Sequence, residues 1–216
     1  PLRQCLNVTG KLFECPATMK LFYFLSIFLC LFLFSCKQNE RKPIENAVIR
    51  IQPFTDMDSG EVNQLVNEIR KLYPSAILSP AVKLPDFAFY VPRGRYKADS
   101  LLKFLSSLAK PNEIVLGLTV KDISTHNGSN SDWGVMGLGT CPGNSCVVST
   151  FRLNMTKGKN QLFKVSIHEL GHTFGLPHCP NLSCYMRDAK GGNPTDEEKY
   201  FCSECKRYLK RYFWRV

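Results

Sequence analysis

Histidine is scarce in this chain, with four His among 216 residues, and tryptophan is scarcer still, with two. The sequence also lacks internal repeats, low-complexity segments and any run of five like charges. These absences exclude repeat proteins, disordered chains and polybasic nucleic-acid-binding tails. With 44% hydrophobic and 21% charged residues, the composition is that of an ordinary globular domain, not of a collagen-like or multi-span membrane protein.

Two totals are high, a net charge of +10 and ten cysteines, and the N-terminal segment contributes to both. Residues 1–18 precede the first methionine, and we expect them not to be translated. Met19 and one lysine then lead into about 14 mostly apolar residues, the layout of a secretory signal over 19–35, which is short for a membrane span. The Leu-Phe-Ser-Cys sequence at its end resembles a bacterial lipobox, which predicts lipid attachment at Cys36. A signal anchor that stays uncut is the alternative.

Loss of residues 1–35 removes three basic residues and one acidic residue, which lowers the net charge to +8. Six cysteines remain beyond the lipidated one. This charge predicts a solvated basic surface, or one that faces anionic lipid, and no nucleic-acid-binding signature accompanies it. Residues 36–46 are polar and are predicted to form a tether. We therefore expect a monomer that is lipid-anchored in a bacterial cell envelope, at a periplasm-facing or surface membrane.

Strands alternate with helices in the predicted domain, 47–216, which indicates an α/β sheet. The predicted strands cover 47–54, 76–78, 87–91, 113–120, 133–139 and 145–153. Four helices are predicted. The first follows a capping box at Asp58, the second covers 97–109, the third includes the segment 163–174, and the fourth covers 195–211. Residues 122–132 are predicted to form a polar loop that carries His126, which we expect to be a surface residue and not a metal ligand.

The other three histidines fall within eleven residues, in the pattern HExxHxxGxxH. His168 and His172 lie one helical turn apart, so both imidazoles can reach one Zn²⁺. Gly175 can end the helix with a positive φ, and the chain then turns back so that His178 can be a third ligand. Glu169 projects beside the first two and could activate a zinc-bound water. Three protein ligands leave an open position for water, which suits hydrolysis.

Four further cysteines predict a second metal site. Cys179 and Cys184 follow the third histidine, and Cys202 and Cys205 form a C-x-x-C pair, which together match a tetrahedral Cys₄ zinc site. Disulfides such as Cys179–Cys202 with Cys184–Cys205 are the alternative, since an envelope protein folds in an oxidising compartment. A helix over 195–211 would place the last two cysteines on one face, which favours zinc.

Cys141 and Cys146 stand close together across a Pro-Gly turn. This spacing makes them the better candidates for a disulfide.

The combined pattern resembles the archaemetzincins, a family of metzincin zinc peptidases. The family signature is HExxHxxGxxHC, followed after a four-residue gap by C-x-M and later by CxxC. This chain has every fixed position of that signature between His168 and Cys205. The resemblance implies two zinc ions per chain. One is catalytic, with Glu169 as general base, and the other is structural and held by the four cysteines. Met186 would be the Met-turn residue beneath the catalytic metal.

The resemblance also implies an α+β metzincin-like fold. It would have a mostly parallel twisted sheet, an antiparallel edge strand beside the cleft, an active-site helix and a small zinc-stabilised helical subdomain. Residues 133–139 are the candidate edge strand, with 47–175 as an upper and 176–216 as a lower subdomain. Two features depart from the family pattern, the segment 121–132 and the additional Cys141/Cys146 pair, so substrate preference is not carried over.

The predicted function is zinc-dependent hydrolysis of peptide bonds in a peptide or protein substrate. The main alternative is a non-catalytic binding lipoprotein that keeps a zinc-stabilised metzincin shell. Retention of Glu169 argues against it, because a purely structural metal site has no need of that carboxylate. A lipoprotein that binds anionic surfaces through its basic charge is a third, weaker hypothesis.

Overall fold

The structure is a computed structural model that describes residues 42–154 and 156–216. The predicted signal, Cys36 and the first part of the predicted tether lie outside the described residues. Within the described ranges, no helix is long and apolar enough to cross a membrane. In chain order the elements are β1 (Val48–Pro53), α1 (Ser59–Leu72), β2 (Ala76–Leu78), β3 (Phe89–Tyr90), β4 (Arg95–Lys97), α2 (Ala98–Leu108), β5 (Glu113–Thr119), β6 (Ile123–Asn127), β7 (Asn130–Val135), β8 (Gly137–Gly139), β9 (Ser145–Ser149), α3 (Gly158–Thr173) and α4 (Ser203–Lys210).

The central sheet has five strands in the order β2-β1-β5-β9-β8. Its first four strands are parallel to their neighbours, and β8 at the edge is antiparallel to β9. Every residue of β5 and β9 is buried, as expected for strands with both faces covered. The predicted fold class, a mostly parallel sheet with an antiparallel edge strand, is confirmed.

Helices cover both faces of this sheet. On one face α1 and α3 pack against alternate strand residues, among them Ile49, Ile114 and Val148. On the other face α2 packs against the residues between them, such as Val115 and Val147. Because successive side chains of a strand point to opposite faces, the same strands supply both cores.

The start of α1 is as predicted. Asp58 is the N-cap, and its Oδ1 accepts a hydrogen bond of 2.8 Å from the backbone N–H of Glu61. The apolar positions Val62, Leu65 and Ile69 are all buried. One cap and one apolar stripe thus account for this helix.

A second sheet has the order β3-β4-β6-β7 and corrects the predicted loop at 122–132. The strands β6 and β7 form an antiparallel hairpin through this segment, and His126 is exposed on β6. This segment can bury polar residues because acidic side chains accept hydrogen bonds from their hydroxyl groups. Ser124 donates to Asp132 at 2.6 Å, and Thr125 donates to Asp99 at 2.8 Å. The predicted strand 133–139 is divided between the two sheets.

The predicted helix 195–211 is also corrected, since α4 covers only Ser203–Lys210. The preceding carbonyls are used elsewhere: the Lys164 ammonium donates to the backbone oxygens of Thr195, at 2.7 Å, and Glu198, at 2.6 Å. The backbone N–H of Lys199 donates in turn to the carbonyl of Ser183. These long-range bonds replace the i to i+4 bonds that a helix would need.

Candidate active site

The helix α3 places the first two histidines and the glutamate of the motif. Its apolar residues Ile167 and Leu170 are fully buried against the sheet. The imidazoles of His168 and His172 project from another face, with their Nε2 atoms 3.1 Å apart. Gly175 follows the helix with a φ of 88° and reverses the chain, as predicted.

The reversal brings His178 to the other two histidines. Its ring centroid lies 5.4 Å from that of His168 and 4.8 Å from that of His172. One nitrogen from each ring lies within 4.8 Å of the other two. The structure therefore brings together all three residues that the sequence predicts as ligands.

Backbone carbonyls determine which nitrogen carries the proton in two of these rings. The Nδ1 of His168 lies 2.6 Å from the oxygen of Tyr185, and the Nδ1 of His172 lies 2.7 Å from the oxygen of Leu176. A carbonyl only accepts, so each Nδ1 carries the proton and each Nε2 presents a lone pair. Burial lowers the pKa of both imidazoles, that of His168 to about 3, which keeps them neutral.

Two Nε2 lone pairs that face each other at 3.1 Å repel unless a cation lies between them. Three imidazoles, two of them oriented by carbonyls, are the donor set that zinc takes in hydrolytic sites. The residues present therefore fit a zinc ion.

Glu169 lies beside this group, at the edge of the sheet. Its side chain is largely buried, and burial raises the pKa of its carboxyl group to about 8. A Cβ on Gly137 of β8 would lie 2.7 Å from the Glu169 Oε1. Only glycine allows the edge strand this close to the carboxylate.

Met186 lies beneath the histidine group and is fully buried. A Cβ on Gly171, between the two histidines of α3, would collide with its sulfur. The backbone carbonyl of Met186 accepts a hydrogen bond of 2.7 Å from the backbone N–H of Cys179. Met186 thus packs against the turn of α3 that carries Gly171.

A cleft of about 980 Å³ opens over these residues. One wall is formed by β7 and β8 and the other by residues 187–198, with α3 between them. The walls approach each other where Trp133 meets the turn at Gly191. Such a groove is large enough to take an extended peptide.

The four predicted zinc-type cysteines also come together. Their sulfurs lie within 4.8 Å of one another, and those of Cys179 and Cys202 are 3.7 Å apart. A disulfide needs about 2.05 Å. Four sulfurs about 2.3 Å from one zinc ion lie about 3.8 Å apart along the edges of a tetrahedron. The spacing therefore fits a shared zinc ion.

Hydrogen bonds favour a thiolate at the centre of this cysteine group. The sulfur of Cys184 accepts from the backbone N–H groups of Met186, at 3.5 Å, and Cys202, at 3.4 Å. The pKa of Cys184 falls to about 5, chiefly because the Cys205 thiol donates to it. Donors that stabilise a thiolate also suit a metal ligand.

The predicted disulfide between Cys141 and Cys146 is not formed, and both thiols are free. Cys146 lies within β9, and its side chain is fully buried in the main core. Cys141 is exposed at the cleft, with its sulfur 3.6 Å from the carbonyl of Leu176. The alternation of side chains along β9 thus turns Cys146 inward, away from the turn.

Sequence reasoning missed several parts of the site. The carbonyls of Tyr185 and Leu176 carry no side-chain signal, and Gly137 stands outside the recognised motif. Asp188, whose carboxylate lies 3.9 Å from the Nδ1 of His178, directly follows the Met-turn region. Glu198 lines the cleft although it lies thirty residues beyond His168 in the chain.

The fold and the site together define a zinc metallopeptidase, a hydrolase that acts on peptides or proteins. A sequence model described as Peptidase family M54 matches residues 28–211. The archaemetzincin of Methanopyrus kandleri is 32% identical over 165 residues, which cover 74% of this chain and 89% of that protein. The chain belongs to this family, the archaemetzincins.

Solved structures agree with this assignment. The crystal structure of the archaemetzincin from Methanopyrus kandleri has a TM-score of 0.66 and 28% identity, and covers 79% of this chain and 98% of its own. That from Archaeoglobus fulgidus has a TM-score of 0.63 and 28% identity, and covers 74% of this chain and 98% of its own. The predicted family membership is confirmed, and zinc dependence follows from it.

Proposed function

We propose that this chain cleaves peptide bonds at the site formed by His168, His172 and His178, with Glu169 as the general base. The observation that carries the proposal is the convergence of the three imidazoles beside a buried carboxylate on the next residue of the same helix. A zinc ion held there would supply Lewis acidity, which polarises the scissile carbonyl and makes water a better nucleophile.

The chain's own residues accept and donate the protons of the reaction. Glu169 accepts a proton from the attacking water and then donates it to the leaving amine. The carbonyls of Tyr185 and Leu176 hold the imidazoles of His168 and His172 in one tautomer throughout. The close approach of Gly137 keeps the carboxylate at the cleft and limits the water around it.

The edge strand β8 is suited to hold the substrate. It ends the five-stranded sheet within the described residues, so one side of its backbone faces the cleft. An extended peptide can add to such an edge through main-chain hydrogen bonds. We place the substrate antiparallel to β8, with the scissile bond over Glu169.

The four cysteines are proposed to hold a second, structural zinc ion. Cys179 and Cys184 follow the third histidine, while Cys202 and Cys205 begin α4, so the metal would join these two segments. Binding that needs the folded arrangement stabilises the fold. Metal analysis separates the alternatives: two zinc ions per chain support this site, whereas one zinc ion and no free thiols among the four support disulfides.

Envelope anchoring through a lipid on Cys36 is a further part of the proposal. Its support is the signal-like sequence before Cys36 and the packing of Ile44 against the main core, which would hold the domain a few residues from the anchor. Metabolic labelling with palmitate should mark the wild type and not Cys36→Ser. Labelling of both proteins would contradict the lipid assignment.

Substitution of the proposed base tests the mechanism. Glu169→Gln keeps the shape of the side chain but cannot accept the proton, so we expect peptide cleavage to fall by about 10²–10⁴-fold while zinc content is unchanged. Glu197→Gln, which changes an exposed carboxylate, is the control and should stay active. Full activity of Glu169→Gln would refute the assignment, and an inactive wild type that retains zinc would favour the binding lipoprotein.

A further inference from the structure

Glu198 is a buried carboxylate that the proposed mechanism does not use. It lines the cleft, yet its side chain is only 4% exposed. Among the described residues, no hydrogen bond or ion pair reaches its carboxylate oxygens. A largely buried carboxylate without a partner in the protein is poorly solvated, so a cationic group that enters the cleft and pairs with it would gain free energy.

The cations nearest to this carboxylate are already engaged. The Lys164 ammonium donates to two backbone carbonyls, those of Thr195 and Glu198 itself. Arg187 pairs with the exposed carboxylate of Glu197 at 2.5 Å. Burial accordingly dominates the environment of Glu198 and raises its pKa to about 7. A cationic guest would restore the charge of this group.

The position of Glu198 along the cleft is fixed by α3. Lys164 ties residues 195–198 to the helical turn that precedes His168. Val165, on the same turn, lines the cleft together with Thr195 and Glu198. We refer to the part of the cleft that these three side chains line, beside the proposed zinc site, as the recess, and the carboxylate is its charged group.

The direction of the substrate assigns this recess to one side of the cleaved bond. A Cβ on Gly137 would meet the Glu169 carboxylate, and one on Gly139 would lie 3.3 Å from the His172 Cβ. The strand β8 therefore runs in the same direction as α3. A substrate antiparallel to β8 runs the other way, so the residue after the scissile bond lies toward Val165.

We propose that Glu198 selects substrates that carry lysine or arginine immediately after the cleaved bond. This inference rests on the proposed function and adds a substrate class to it. The ammonium or guanidinium group enters the recess and pairs with the Glu198 carboxylate, while its aliphatic stem packs on Val165. Hydrogen bonds between charged groups in a buried site discriminate strongly against an apolar side chain.

Two assays on the zinc-loaded full chain test the preference. A peptide-library digest read by mass spectrometry should show lysine or arginine after most cleaved bonds. With matched peptides, we expect kcat/KM to be about tenfold or more higher for lysine than for leucine at this position. Wild-type cleavage without such a preference would overturn the inference, and this result needs no variant.

Variants assign the preference to this carboxylate. Glu198→Gln should reduce the ratio between the lysine and leucine peptides to about one, through a loss of kcat/KM for the lysine peptide. Glu198→Asp should keep a reduced preference, and Glu68→Gln, which changes a carboxylate on α1 outside the cleft, should keep the full one. An unchanged ratio in Glu198→Gln would overturn the role of Glu198.

Binding separates this inference from the proposed hydrolysis. Fluorescence anisotropy with the zinc-loaded Glu169→Gln variant should show tighter binding of the lysine peptide by about tenfold. If no peptide is cleaved but this preference holds, the hydrolytic function fails and the selectivity stands. Cleavage without any charge preference would support the hydrolytic function and overturn the selectivity. If neither cleavage nor a binding preference is observed, both the hydrolytic function and the selectivity are overturned.

Discussion

For Gly139→Ala, the structure and simple strand propensity predict stability changes of opposite sign. Glycine weakens a strand, so replacing it by alanine ordinarily stabilises a protein by about 0.5–1 kcal/mol. Here the new Cβ would lie 2.8 Å from the backbone oxygen of Glu169 and 3.3 Å from the Cβ of His172. The Glu169 oxygen is a helical carbonyl held by its own hydrogen bond, so it cannot move aside without bending α3.

The expected magnitude follows from these contacts. Overpacking in a fixed environment costs about 1–3 kcal/mol, which exceeds the gain from lost chain entropy. We therefore expect Gly139→Ala to lower the free energy of unfolding by about 1–2 kcal/mol. For a domain of this size the melting temperature should fall by about 2–8 °C.

Urea unfolding of the zinc-loaded protein measures this change, with an unaltered m-value as the sign that the denatured state is the same. Gly158→Ala is the matched control, because a Cβ on Gly158 at the start of α3 meets nothing within 4 Å. That variant should be stabilised by up to about 1 kcal/mol. If Gly139→Ala is stabilised as much as Gly158→Ala, the close approach of β8 to α3 is wrong.

Three further predictions concern the site and the fold. Gly137→Ala should lower kcat severalfold with little loss of stability, because its Cβ would displace the movable Glu169 side chain; stopped assays and thermal melts check this, and an unchanged kcat would contradict it. Arg50 lowers the pKa of Glu113, so the paired carboxylate stabilises the fold above about pH 4 and this contribution is lost as the pH falls through the folded pKa. Glu113→Gln should thus destabilise by about 1–3 kcal/mol at pH 7 and less below pH 4, as urea titrations at each pH show; equal losses at all pH values would refute the ion pair. Cys205→Ser should leave one zinc ion per chain by mass spectrometry and lower the melting temperature, whereas two retained ions would exclude a four-cysteine site.

The parts of the site that the sequence predicts correctly are those set by local geometry. A helical turn of 3.6 residues brings His168 next to His172, and Gly175 allows the reversal that brings up His178. A continuous apolar run likewise predicts the buried strand β5. These features depend on neighbours a few residues away, which the sequence shows directly.

The parts that sequence reasoning misses depend on distant partners. The segment 122–132 is a hairpin because Asp99 and Asp132 satisfy its buried hydroxyl groups, and nothing local indicates this. Residues 195–201 are not helical because Lys164 binds two of their carbonyls. Cys146 is turned into the core by its strand register, so spacing alone predicts the wrong disulfide.

Reconstitution with zinc tests the central claim most directly. The full chain should cleave peptides from a library, lose all cleavage when a chelator removes the metal, and regain it when zinc is added back. The three histidines and Glu169 predict this complete dependence. Peptide cleavage that persists at an undiminished rate in protein shown by metal analysis to hold no zinc would contradict the account.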